Sequence, residues 1–65
     1  MLGHRIAQRR RDLKLSQAKL AKKVGASRQS VNGWENGADL RMSNLEKVAK
    51  ALKTTAAELL GGVAA

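Results

Sequence analysis

Apolar residues in this 65-residue chain recur every three or four positions and nowhere alternate over the length of a strand. That spacing restricts the fold more than any other feature. It places side chains on one face of an α-helix, whereas a half-buried strand requires alternation. The chain has no cysteine and no proline, so no disulfide framework or thiolate metal site can hold a small domain together. Helices must therefore bury one another's apolar faces. A chain this short is one domain at most. Its longest uninterrupted apolar run is two or three residues, against about 20 for a membrane span. No basic start leads into an apolar secretory segment. The expectation is a soluble, cytoplasmic protein.

Capping residues divide the periodic pattern into five short helices. Leu2, Ile6 and Leu13 form the stripe of a first helix over about residues 2–13. Ser16 is placed to cap a second, carrying Leu20, Ala21 and Val24, and Gly25 stops it because glycine enters the left-handed region at little cost. Ser27 caps a third helix that runs through Glu35 with Val31 and Trp34 on its buried side. Residues 36–42 read as a loop. Ser43-Asn44-Leu45-Glu46 and Thr55-Ala56-Ala57-Glu58 match the capping box, in which two side chains satisfy two orphan N–H groups. They open a fourth helix, with Leu45, Val48, Ala49 and Leu52 on one face, and a short fifth with Leu59 and Leu60, ended by Gly61 and Gly62. Lys14 and Lys53 stand where a C-terminal glycine is expected. Either they are left-handed, at about 1 kcal/mol, or those helices end differently.

Charge narrows the function. Thirteen Lys and Arg against five Asp and Glu give +8 and a pI near 11.0. Residues 5–28 hold nine bases and one acid, whereas residues 29–65 hold four of each. A surplus confined to one half is the electrostatic footprint of a polyanion binder. The five acids are scattered and the lone His4 has no companions. No catalytic constellation or metal site is expected, and no cofactor. Trp34, a single aromatic on an inward face, reads as core rather than as a base-stacking platform.

The densest signal lies between Gln17 and Gly37. Two helices crossing through a short turn need a small residue at closest approach, here Ala21, and a glycine in the turn, here Gly25. Leu20, Val24, Ala26, Val31 and Trp34 fill the angle between them. Gln17-Ala18-Lys19-Leu20-Ala21-Lys22-Lys23-Val24-Gly25 followed by Trp34-Glu35-Asn36-Gly37 resembles the Cro/repressor (XRE) helix-turn-helix family. The resemblance runs from about Gly3 to Gly62 and implies an all-α, five-helix, lambda-repressor-like domain over residues 1–62, with 63–65 as a tail. It also implies a bacterial or phage, nucleoid-associated protein. The text of the chain fits either a complete Cro-sized protein or the amino-terminal part of a longer repressor.

With Val31 and Trp34 inward, a turn of about 100° per residue puts Gln29, Asn32, Gly33 and Asn36 on the opposite face, flanked by Arg28 and Ser30. Arg can bond guanine O6 and N7, and Gln adenine N6 and N7, each pair discriminating by about 1–3 kcal/mol. By resemblance the first residues of this helix read bases, so Arg28, Gln29, Ser30, Asn32 and Gly33 are the expected base-facing set on double-stranded DNA. Gly33 departs from relatives, which often carry a long polar side chain there. Arg28 and Lys19 put cations at helix N-termini, against the helix dipole, which a partner phosphate or base would explain.

Resemblance assigns phosphate contacts to Gln17, Asn36, Arg41 and the amides of Ser43 and Asn44. Arg9, Arg11, Lys19, Lys22 and Lys23 are candidates by charge. Arg10 shares a stripe with Ile6 and Leu13, so it needs a buried partner. Glu35 is the best placed, and the pairing leaves an Arg10 N–H for phosphate. A homodimer on a pseudo-palindrome with half-sites about 34 Å apart is expected. By resemblance Thr54, Thr55, Ala56, Leu59 and Leu60 form its contact, with Leu40 and Met42 closing the core or touching a partner. Two rivals remain: an antitoxin-like or bridging protein-interaction module on the same fold, and a cationic membrane-surface peptide.

Overall fold

The computed structural model describes residues 2–61. Within them lie five helices: α1 (Leu2–Asp12), α2 (Gln17–Val24), α3 (Arg28–Glu35), α4 (Met42–Ala51) and α5 (Ala56–Leu59). Gly62 and the tail expected at residues 63–65 lie outside the described residues. The periodic apolar positions meet in one core, in which Ile6, Leu20, Val31, Leu45, Val48 and Leu52 are fully buried. Trp34 is core as well, at 8% exposure. The helix-turn-helix of α2 and α3 rests on α1 on one side and α4 on the other, with α5 bridging α4 back to α1.

Caps explain most of the boundaries. Ser16 accepts from Lys19 N at 3.0 Å and Ser27 from Ser30 N at 3.1 Å. Thr55 accepts from Glu58 N at 3.1 Å, but the Glu58 carboxylate takes the Thr54 hydroxyl instead of returning to the cap, so only half of that box forms. The other box does not form. Helix α4 starts at Met42 with Arg41 as a cap that makes no side-chain bond, which places Ser43 inside the first turn. The earlier start gives the backbone N–H of Leu45, 2% exposed, an acceptor in Arg41 O at 2.8 Å. Satisfying a buried backbone donor outweighs a local capping preference.

Four helices end alike. After α1, α2, α3 and α4 the chain turns back so that an N–H just past the helix end bonds five residues upstream: Leu15 to Arg10, Ala26 to Ala21, Ala38 to Gly33 and Thr54 to Ala49, at 2.8–3.0 Å. This Schellman closure needs one left-handed residue. Gly25 (φ 74) and Gly37 (φ 103) supply it after α2 and α3, and Lys14 (φ 58) and Lys53 (φ 59) after α1 and α4. Both lysines therefore carry the steric cost of that region. Replacing either by glycine is expected to raise stability by about 0.5–1 kcal/mol, the relief exceeding glycine's larger unfolded-state entropy. Thermal melts should show a gain of several degrees, and a loss at both sites would refute the account.

Two long-range devices hold α1. Arg9 donates to Leu52 O at 2.9 Å and to Lys53 O at 3.1 Å, capping the end of α4 from 43 and 44 residues away. Gly3 is buried where α1 crosses the end of α3, and a Cβ there would lie 2.5 Å from Trp34 O and 2.6 Å from Glu35 O. Neither role was visible in the sequence. Arg9 stood only as a phosphate candidate. The signal that could have found Gly3 is a glycine inside a helical pattern, which usually has a packing reason.

Candidate nucleic-acid interface

Helix α3 lies across the domain with Val31 and Trp34 buried beneath it, which turns Arg28, Gln29, Ser30 and Asn32 to solvent. The side chains of Arg28 and Gln29 make no hydrogen bond within the described residues. Ser30 Oγ accepts from Ser27 Oγ at 3.0 Å, so its own hydrogen stays available. Gly33 differs from its neighbours: it is half-buried, and a Cβ would lean on Ala38 Cβ at 3.5 Å instead of standing clear of the surface.

Beneath this face runs a connected polar network. Arg10 grips Glu35 with two parallel bonds, Nε to Oε2 at 2.7 Å and Nη2 to Oε1 at 3.1 Å, and its Nη1 donates to Leu15 O at 2.9 Å. The side chains are 12% and 6% exposed. Such a fork is the strong form of a charge-assisted bond. It ties α1 to the end of α3 and to the turn before α2. Burial pushes the Glu35 carboxyl up, but the bonds from Arg10 and Gln17 and the fields of Arg10 and Arg11 overcome it and hold it below its ordinary value. The Arg10 guanidinium is raised by its bond to Glu35, against the effect of burial.

A carboxyl whose folded pKa is depressed contributes stability above its unfolded pKa and loses it as pH falls through the folded value. Wild-type stability should therefore fall as pH drops below about 4.3, the ordinary glutamate value. The Glu35→Gln variant should show a flatter slope there in urea melts. Equal slopes would contradict the shift.

Gln17 extends the network. Its Nε2 donates to Glu35 Oε1 at 3.0 Å and to Asn32 Oδ1 at 3.2 Å. Asn36 closes α3, its Nδ2 bonding Asn32 O at 2.8 Å and Asn32 Oδ1 at 3.2 Å. Arg10, Glu35, Gln17, Asn32 and Asn36, expected separately as a bridge, a reader and phosphate contacts, are thus one unit. Both hydrogens of Gln17 Nε2 are used inside it. The open donors at that corner are the backbone N–H groups of Gln17 and Ala18, which precede the capped Lys19 N. Lys19, Lys22 and Lys23 project from α2 into solvent. Among α2 to α5, α4 alone lacks a side-chain cap, leaving the N–H groups of Met42, Ser43 and Asn44 open beside exposed Arg41.

Leu59, expected in a partner contact, instead turns into the core at 3% exposure, while Leu60 is 54% exposed beside half-buried Thr54 and Ala56 and exposed Thr55. The four-residue α5 can present only one of two adjacent leucines outward. Met42 is 58% exposed, and Leu40 packs at the core's margin. Among the described residues no helix is long and apolar enough to cross a membrane.

Five helices with a capped, glycine-jointed pair presenting one polar face define a helix-turn-helix domain. A helix-turn-helix family model matches residues 6–59, and the chain belongs to that family, in its XRE-type, lambda-repressor-like branch. Among solved structures, it is similar to the P22 c2 repressor in complex with a synthetic operator, with 38% identity, 97% of each chain covered and a TM-score of 0.90. SinR, described as the master regulator for biofilm formation and solved with DNA, shares 31% identity over 92% of this chain and 98% of its own, with a TM-score of 0.86. Hydroxypropylphosphonic acid epoxidase from S. wedmorenis matches at 30% identity and a TM-score of 0.83, over 31% of its own length.

Proposed function

We infer that the chain is a sequence-specific DNA-binding transcriptional repressor. The observation that carries this reading is the outward row Arg28, Gln29, Ser30 and Asn32 on a helix locked from below by the Arg10–Glu35 fork. The similarity to the operator-bound P22 c2 repressor over 97% of both chains supports it. The row enters the major groove, and phosphates on either flank meet the N-terminal N–H groups of α2 and α4 together with Lys19, Arg41, Ser43 and Asn44. Contacts of that kind position the protein without reading sequence. Arg10 and Asn36 act on this surface mainly by holding α3. The protein works by binding and not by catalysis, in the cytoplasm on bacterial or phage DNA. A homodimer places two such rows on a pseudo-palindrome, with Thr54, Thr55, Ala56 and Leu60 at its contact.

Selection from a random duplex library at several salt concentrations tests the reading. It should return a palindromic consensus, with log K falling against log salt at a slope of about 0.9 per phosphate neutralised. Arg28→Ala should weaken the best site by about 1–3 kcal/mol and relax one position of the consensus. Equal retention of all sequences would refute specific binding. A protein partner held undiminished after Arg28 and Gln29 are both changed to Ala would favour the bridging module instead.

A further inference from the structure

We propose that Asn32 reads its base as a hydrogen-bond donor only, because the buried Arg10–Glu35 pair dictates, through Gln17, which way the Asn32 amide points. An asparagine side chain normally offers the groove both a donor and an acceptor, and so pairs with adenine N6 and N7. Here its polarity is set from inside. Glu35 is an ionised carboxylate and can only accept, so Gln17 must turn its Nε2 toward it, at 3.0 Å. The second hydrogen of that Nε2 points at Asn32, which must answer with its carbonyl Oδ1, at 3.2 Å. The backbone carbonyl of Asn32 imposes the same choice on Asn36, whose Nδ2 bonds that oxygen at 2.8 Å and reaches Oδ1 at 3.2 Å. Asn32 Oδ1 thus accepts twice on the protein side. Its Nδ2 makes no hydrogen bond within the described residues, and the side chain is exposed, one turn along α3 from Arg28.

Two N–H groups with no acceptor beside them fit guanine, whose O6 and N7 both accept, and fit thymine O4 with one bond. They meet adenine only at N7 and oppose its N6 amino group, and they find no partner on cytosine N4. The base opposite Asn32 should therefore be guanine, with thymine second.

The proposal rests on the DNA-binding reading, and one experiment separates them: library selection with the wild type, Asn32→Asp and Asn32→Ala, each checked for folding by circular dichroism. Asn32→Asp keeps an oxygen for Gln17 and Asn36 but shows the groove an acceptor. It should shift one column of each half-site from guanine or thymine to cytosine or adenine, by on the order of tenfold or more. Asn32→Ala should leave that same column without preference. Gln17→Ala combined with Asn36→Ala, which removes both donors to Oδ1 and frees the amide to turn, should admit adenine there. A wild-type consensus in which the column lost in Asn32→Ala is adenine or cytosine would overturn the proposal and leave specific binding standing, as would a consensus that neither Asn32 variant alters. No consensus for the wild type would overturn both.

Discussion

Arg10→Met should lower the unfolding free energy by about 3–5 kcal/mol, the usual result when one member of a buried ion pair is removed. Glu35, 6% exposed, would be left with the single amide of Gln17 in place of the guanidinium fork. The double variant Arg10→Met, Glu35→Leu removes both charges and should recover most of the loss, since apolar replacement of a buried pair is often neutral or stabilising. Urea denaturation of the four proteins in this cycle checks the expectation. Recovery of stability need not bring recovery of binding. Without Glu35 the Gln17 amide loses the partner that orients it, so the double variant should fold well and bind its operator more weakly. A double variant as unstable as Arg10→Met would show that the energy lies in packing and not in the paired charges.

The second large effect is a contrast between two glycines on helices. Alanine is better than glycine inside a helix by about 1 kcal/mol, so propensity alone expects both Gly3→Ala and Gly33→Ala to stabilise. The environments differ. At Gly33 the new methyl would meet only Ala38 Cβ, at an ordinary 3.5 Å, and a gain of up to about 1 kcal/mol should follow. At Gly3 it would sit 2.5 and 2.6 Å from the carbonyl oxygens of Trp34 and Glu35. Both are backbone atoms, so no rotamer change relieves the clash and α1 must withdraw from the end of α3. Overpacking of this kind costs about 1–3 kcal/mol or more. The withdrawal would also stretch the Arg10–Glu35 bonds. Melting temperatures that move in opposite directions are the expected result. A stabilised Gly3→Ala would mean that the two helices are not packed this closely.

These cases show why some of the interface was legible in advance and some was not. The Arg10–Glu35 pair could be anticipated because a charge in an apolar stripe requires a partner and the chain offers few acids. The outward polar face of α3 followed from two inward residues and the helical repeat. Helix α4 starts earlier than the capping-box pattern at Ser43 predicts because that pattern is a local signal, whereas the needed bond, Leu45 N to Arg41 O at 2.8 Å, follows from Leu45 being buried. Leu59 and Leu60 are adjacent apolar residues with nothing local to say which faces in. Arg9 was one arginine among several until its carbonyl acceptors arrived from 43 and 44 positions away.

Local chemistry in the chain, namely apolar phase, caps, turn glycines and lopsided charge, was enough for five helices, their order and a polyanion-facing half. These depend on interactions within one or two turns. Which atoms of the reading face are free to bond, and with which polarity, was settled by the packing of α1 and α2 against α3. The bonds from Arg10 and Gln17 made in that packing keep Glu35 ionised and able only to accept, which obliges each neighbouring amide to choose a direction, a choice that neighbours in sequence cannot make.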